Sequence, residues 1–394
     1  MFFAMNIEHI QKLLSEQHID GWLIYNCNRS NVIAERIFQL PDDIVQSRRY
    51  FYFIPADGTP QKLVNRIEEH NLDMLPGEKT IYLSWQSLEE GLKKIMNGAH
   101  TIAMEFSPSN AIPSISYVDA GTVDLIRLMG KQVVSSANLV QEFEATLTDD
   151  QIESHITVAK LLMQFIGNVL DELHTRLIKS GEVKEYSIHN FIVRRFEEHN
   201  LTYDMPPIVA VNESTANPHY VTNEDTSVVI HRSNLVLIEL LAKLRRPDAI
   251  YADITWMIYT GDSIPDEYKN IFAISTHARD SAFNFIAGRF TQGIPVMGYE
   301  VDDVARTIIR NAGYNDNFIH RTGHSLGEDL HGYSANLDNL ETHDDRQIIP
   351  RTCFSIEPGI YTNSFGIRTE INVIVLPDKT LECSTEEQKE ITTV

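Results

Sequence analysis

Four carboxylates occupy segments that otherwise read as buried β-strand, and this limits the chain to folds that can compensate them. In Leu235-Val236-Leu237-Ile238-Glu239-Leu240-Leu241 the acid has apolar residues on both sides, so Glu239 interrupts a core-like run whichever face is buried. Asp253, Glu357 and Glu370 lie in or beside similar segments, and His324 falls between the two pairs. An apolar strand does not bury carboxylates without strong compensation. Protonation or a basic partner relieves one acid at a time, whereas four such acids point to bound cations. Two divalent ions would set about +4 against about −4, a near cancellation that makes a shared buried site physically sensible.

Glu239 and Asp253 fall on successive strand candidates joined by the polar turn Lys243-Leu244-Arg245-Arg246-Pro247-Asp248, so a hairpin would bring them side by side. Glu357 in Phe354-Ser355-Ile356-Glu357-Pro358-Gly359 and Glu370 in Ile367-Arg368-Thr369-Glu370-Ile371 form a second such pair, with Pro358-Gly359 marking a turn or bulge. Oxygen-rich ligation with a single imidazole suits Mn, Zn, Co or Fe, and bridging carboxylates hold paired ions about 3.5–4 Å apart. Such a pair lowers the pKa of water and polarises a carbonyl, which is hydrolytic chemistry.

At 394 residues the chain exceeds what one core usually serves, and two domains are expected. Residues 1–145 read as an α/β domain. Ile10, Leu13 and Leu14 repeat at helical spacing, while 22–25, 50–54 and 100–104 read as strands, without the glycine-rich dinucleotide fingerprint. Residues 146–394 open with Thr148 and Gln151, a capping box ahead of a long helix carrying Ile152, Ile156, Ala159, Leu162, Ile166, Val169 and Leu173. Further helices are expected after Ser187 and over 302–312. With the acid-bearing strand pairs, these make the second domain α+β with a mostly antiparallel sheet.

The net charge of −22 opposes binding to nucleic acid or anionic membrane. Three cysteines, Cys27, Cys353 and Cys383, lack a disulfide or CxxC pattern, which suits a reducing cytoplasm. The start of the chain has no basic, then apolar, leader pattern, and no stretch is apolar enough to span a bilayer.

The motifs Pro218-His219-Tyr220, Tyr251-Ala252-Asp253-Ile254-Thr255, His320-Arg321-Thr322-Gly323-His324-Ser325-Leu326-Gly327 running on to His331, Ile356-Glu357-Pro358-Gly359-Ile360-Tyr361 and Gly366-Ile367-Arg368-Thr369-Glu370 follow one another in order. In this the chain resembles the pita-bread metallopeptidases, which include proline dipeptidase, aminopeptidase P and methionine aminopeptidase, and it is most similar to the first two. The resemblance implies a pita-bread domain, a mostly antiparallel curved sheet covered by helices, preceded by a domain like that of creatinase and aminopeptidase P. It implies two divalent ions, manganese first with zinc or cobalt as alternatives, and hydrolysis of Xaa-Pro bonds in peptides with proline at the second position. By motif, Glu239 would chelate one ion, Asp253 and Glu370 would bridge both, and His324 and Glu357 would complete the other. Glu357 would also shuttle the proton, His219 and His331 would donate hydrogen bonds to the substrate, His320 would line the pocket, and Arg368 and Tyr361 would orient carboxylates. A homodimer is implied as well. The chain departs from the family pattern at Glu239, where aspartate is usual, at Trp256, where arginine is common, and in a turn before Asp253 about three residues longer than usual.

Three rival readings remain at the level of sequence. Gly323-His324-Ser325-Leu326-Gly327 matches the serine-hydrolase elbow G-x-S-x-G, which requires a strand before the serine and a helix after it. A pita-bread binding protein or pseudoenzyme with an impaired metal site is motivated by Glu239 and Trp256. A metal-free, creatinase-like amidinohydrolase is opposed by the acids retained in both hairpins.

Overall fold

The computed structural model describes residues 6–41 and 43–394, so the first residues of the stretch examined for a leader lie outside the described part. The chain divides into two compact units, Met1–Glu144 and Ala145–Val394. No helix among the described residues is long and apolar enough to cross a membrane.

The first unit is built on a six-stranded mixed sheet. Gly21–Asn26 pairs antiparallel with Tyr50–Pro55 and parallel with Thr101–Met104, so the three strands read from sequence lie together at its centre. Helices Trp85–Ile95 and Ala120–Leu128 supply Leu88, Leu92, Val123 and Ile126 to its core.

In the second unit the helix Asp149–Ser180 opens on the expected capping box: Thr148 Oγ1 accepts from Gln151 N–H, and the Gln151 side chain accepts from Thr148 N–H. It ends at Gly181, whose φ of 75° is the left-handed conformation that terminates helices. The next helix, Glu185–Glu198, begins two residues before Ser187, and the helix expected over 302–312 spans Gly298–Asn311. A 26-residue helix, Asp266–Thr291, was not expected from the sequence. Its buried side includes Ser275 and Arg279 among Ile271, Phe272, Ala278 and Ala282, and these polar and small residues dilute the apolar stripe by which helices are recognised.

Two strand pairs carry the acids. Leu235–Leu244 runs antiparallel to Ala252–Tyr259, with Glu239 opposite Thr255 and Leu241 opposite Asp253. Because side chains alternate along a strand, Glu239, Leu241, Asp253 and Thr255 share one face. Val236, Ile238, Leu240, Ala252, Ile254 and Ile258 point the other way and pack on the first two helices of the unit. Leu235, Leu237, Met257 and Tyr259 instead join the core formed with Asp266–Thr291 and Gly298–Asn311. The acids therefore sit in a sheet with a hydrophobic core on each side.

The second pair consists of two ladders in one register. Cys353–Ile356 pairs with Ile371–Val375, and Gly359–Tyr361 pairs with Gly366–Arg368. The reversal of the chain falls at Thr362–Phe365, where Thr362 N–H donates to Phe365 O. The break between the ladders therefore falls at Glu357-Pro358, and Pro358-Gly359 is not the turn. Proline has no N–H to give a ladder, and the flanking residues Glu357 and Glu370 face each other across the gap. The sheet that contains this pair is antiparallel, and among the described strands of the unit Ala252–Tyr259 also pairs parallel with Thr392–Thr393.

Candidate metal centre

His324 is fixed from both sides. Its N–H donates to Ser355 Oγ at 3.0 Å, Ser355 N–H donates back to His324 O at 2.9 Å, and Glu357 N–H donates to Thr322 O at 2.7 Å. Gly323 makes this interlock possible, since a Cβ there would stand 2.0 Å from Ser355 O. The imidazole Nδ1 lies 3.1 Å from Ser325 O, so it carries a proton and turns Nε2 toward the acids. Nε2 is 3.2 Å from Glu357 Oε1 and 3.6 Å from Asp253 Oδ2.

The other acids are held by a line of contacts. Arg368 Nη2 donates to Glu239 Oε2, Arg368 Nε donates to Thr255 Oγ1 at 2.8 Å, and Thr255 Oγ1 donates to Glu370 Oε2 at 2.9 Å. Asp253 is set by its backbone, whose N–H donates to Asn372 Oδ1 at 2.8 Å. Of the oxygens of these clustered acids, two are buried without a hydrogen-bond partner among the described residues, Asp253 Oδ1 and Glu370 Oε1, on residues 3% and 1% exposed. Unpaired, buried carboxylate oxygens are costly, and two in one cluster are what a cation would satisfy. The donors converge in pairs rather than as a closed cage. Among the described residues no group of three or more His, Cys, Asp or Glu is disposed as a ready cation site.

The electrostatics express the same crowding. Burial, then repulsion from Asp253 and Glu357, pushes the Glu370 carboxyl well above the carboxylate range. Burial lifts Glu239 to about 7, with Arg368 opposing the rise and Asp253 and Glu357 adding to it. Burial also raises Asp253, against the pull of His324. Glu357 goes the other way: burial would raise it, but its contact with His324 and the charges of His324 and Arg368 outweigh burial and hold it well below its ordinary value. Burial opposes the charge of His324, yet Asp253 and Glu357 lift its pKa to about 9.

His320 bridges the motifs, with Nδ1 2.7 Å from Arg321 O and Nε2 2.9 Å from the Tyr361 hydroxyl. Nδ1 therefore donates to the carbonyl and Nε2 accepts from Tyr361, and burial, which pushes His320 down to about 4, keeps the ring neutral. The Tyr361 hydroxyl in turn lies 3.5 Å from Arg368 Nη1. His331 is exposed and stands edge-on to His324, 4.6 Å between ring centres. Loss of water around the His331 ring, then the charges of His324 and Arg321, push its pKa down, and His219 is close enough to add to the effect. His219 is exposed on the segment after Pro218, with its N–H on Asn217 Oδ1. Thr255, Ser355 and Asn372 position the ligand candidates as well, through Glu370, His324 and Asp253 respectively. Thr255 was signalled by the two-residue period from Asp253, but the other two are polar residues in apolar strands whose partners are distant in the chain.

The serine-hydrolase match fails on geometry. Ser325 is 1% exposed, its Oγ accepts from Ser334 N–H and Ser334 Oγ, and the two-residue strand Ser325–Leu326 leads into no helix.

The sequence model of metallopeptidase family M24 matches residues 161–377, more than half the chain. The chain belongs to metallopeptidase family M24. This M24 protein is therefore a peptidase, a hydrolase of a family that uses divalent metal ions, and its fold is the pita-bread fold with a preceding α/β unit. It is 30% identical to an Xaa-Pro dipeptidase of Lactobacillus delbrueckii subsp. lactis over 93% of both chains. A match to an Xaa-Pro dipeptidase of Lactobacillus helveticus, at 31% identity, spans 43% of this chain and 42% of that protein. The dipeptidase structure from Pyrococcus horikoshii OT3 superposes with a TM-score of 0.61 at 22% identity, covering 99% of this M24 chain and all of the other.

Proposed function

We propose that this peptidase hydrolyses the bond before proline, releasing the N-terminal residue of an Xaa-Pro dipeptide or short peptide, with two divalent cations held by Glu239, Asp253, His324, Glu357 and Glu370. The observation that carries the reading is the pair of buried, unpartnered oxygens on Asp253 and Glu370, the two acids assigned as bridges. The relatives named as Xaa-Pro dipeptidases support the substrate class. Manganese is the first candidate and zinc or cobalt the next, from a donor set of four carboxylates and one imidazole.

Bound divalent cations supply Lewis acidity, lowering the pKa of water and polarising a carbonyl oxygen. The chain's own groups do the rest. Glu357 takes the proton of the attacking water and returns it to the imide nitrogen, which leaves poorly until protonated. His219 and His331 donate to the scissile carbonyl oxygen and to the tetrahedral oxyanion that follows. His320, Tyr361 and Arg368 keep Glu239 oriented. We extend the reading to a creatinase-like N-terminal domain over 1–145, a catalytic domain over 146–394, a homodimer and a cytoplasmic setting.

The test is metal content by mass spectrometry of chain reloaded with Mn(II), beside hydrolysis of Ala-Pro before and after chelation. Two ions per chain and chelation-sensitive release of proline are expected. Ala-Pro left intact despite two bound ions would overturn the substrate assignment. Turnover that survives chelation would favour creatinase-like chemistry, and no uptake with no turnover would favour a non-catalytic relative.

A further inference from the structure

His219, one of the two groups assigned to the substrate's carbonyl oxygen, sits in a stretch, 217–228, that is neither helix nor strand, so side chains have to fix it. The chain before it is tied to the acid-bearing strands. Thr215 Oγ1 accepts from Gly366 N–H at 2.8 Å, and a Cβ at Gly366 would stand 2.2 Å from Thr215 O, so the turn Asn212–Ala216 lies against the strand that carries Arg368. Asn212 Oδ1 also accepts from Leu235 N–H at 2.9 Å, where the strand of Glu239 begins.

The chain after His219 is held by a carboxylate that belongs to no site motif. Glu185, fully buried at the start of the helix Glu185–Glu198, accepts at Oε2 from the Tyr220 hydroxyl at 2.8 Å and from Val228 N–H at 3.0 Å. Its backbone N–H donates to Val228 O at 3.0 Å. One oxygen thus clasps both ends of the loop 220–228. Between them the Thr222 hydroxyl donates to Val209 O and accepts from Val209 N–H, at 3.0 and 2.9 Å. The other carboxylate oxygen, Glu185 Oε1, is buried without a hydrogen-bond partner among the described residues. That costs stability, and a buried acid kept at such a cost calls for a compensating role.

Resting on the Xaa-Pro reading above, we propose that Glu185 is a positioning residue for His219, acting through the Tyr220 hydroxyl. His219 and Tyr220 are consecutive, with Cα atoms about 3.8 Å apart, so a Tyr220 that loses its anchor takes the histidine with it. A misplacement of about 1 Å is enough to cost on the order of a hundredfold in rate at a reacting centre.

Two measurements on the full Mn(II)-loaded chain test this. The first is kcat/KM for Ala-Pro in wild type, Tyr220→Phe, His219→Ala and the double variant. The second is deuterium uptake by the backbone amides of 219–227 in the same proteins. Tyr220→Phe removes one hydroxyl and keeps the ring that packs on the core with Phe365 and Ile367, so the fold is preserved. It should lower kcat/KM about tenfold and quicken exchange in the loop. With His219 already replaced by alanine, the same change should cost less than about twofold, because the residue it acts through is gone. Glu185→Leu should match Tyr220→Phe, and Glu185→Gln, which keeps an acceptor for the hydroxyl, should recover most of the loss. Independent, fully additive losses from Tyr220→Phe and His219→Ala would overturn the assignment, as would quickened exchange with wild-type kcat/KM, while leaving Xaa-Pro hydrolysis intact. A wild type inert on Ala-Pro whose loop exchange still quickens in Tyr220→Phe would refute the hydrolytic reading and uphold the clasp; unchanged exchange would overturn the clasp itself.

Discussion

Arg368 and Glu239 form an ion pair inside the sheet, and the same guanidinium reaches Thr255, the cross-strand partner of Glu239. One side chain therefore neutralises an acid and ties neighbouring strands to the Gly366–Arg368 strand that carries it.

Arg368→Gln should lower the unfolding free energy of the metal-free chain by about 3–5 kcal/mol, because it strands a buried carboxylate. Replacing both partners, Arg368→Met with Glu239→Leu, should recover most of that loss. Urea unfolding of the two variants measures it, and a double variant no more stable than the single one would show that the ion pair is not the source of the effect.

Glu357→Gln keeps the size and most contacts of the side chain while removing its basicity. A fall in kcat of about 10²–10⁴ is expected if the carboxylate moves the proton. Steady-state kinetics on Ala-Pro with metal content checked in parallel reads this, and near-normal kcat at full loading would remove Glu357 from the proton path.

Gly323→Ala places a methyl 2.0 Å from a backbone carbonyl that cannot swing aside. The interlock of His324 with Ser355 has to open, at about 1–3 kcal/mol for the forced repacking. Titration with Mn(II) should show weaker binding than in wild type. Unchanged affinity would mean that the interlock does not set the histidine.

Acid sensitivity should follow His155, against the opposite trend of Glu239, Asp253 and Glu370, whose raised carboxyls favour the folded state at low pH. This buried ring has Nδ1 2.7 Å from Tyr251 O and Nε2 2.6 Å from Ser384 Oγ, and burial pushes its pKa from 6.5 to about 4. The folded chain keeps His155 neutral down to about pH 4, whereas the unfolded chain takes up a proton near 6.5. Unfolding therefore binds a proton between those values, and stability present above pH 6.5 is lost as the pH falls toward 4. The full difference is roughly 3 kcal/mol at about 1.4 kcal/mol per pH unit. Thermal melts from pH 7 to pH 4.5 should show a flatter decline in His155→Gln, and parallel declines in both proteins would exclude this histidine.

The sequence reveals most where local chemistry repeats or conflicts. The Thr148–Gln151 box names the start of a helix because its partners are three residues apart. Glu239 and Asp253 are visible because an acid contradicts the strand around it, and their shared face follows from the two-residue period. Partners brought together from distant positions leave no such trace. Asn372 meets the Asp253 backbone from 119 residues away, and nothing in Ile371-Asn372-Val373 announces it. Pro358 was legible as a disruption, but whether it turns the chain or breaks a ladder depends on pairing that only the folded sheet displays.

The alternation along Leu235–Leu244 and Ala252–Tyr259 has a consequence for folding. Odd-numbered positions bear the acids, while the neighbouring even-numbered ones anchor two helices. Slippage by a single residue would bury the wrong set on each side, leaving neither a core nor a cation site. A refolding chain should thus recover metal affinity and helix packing in the same step, with no half-active species on the way.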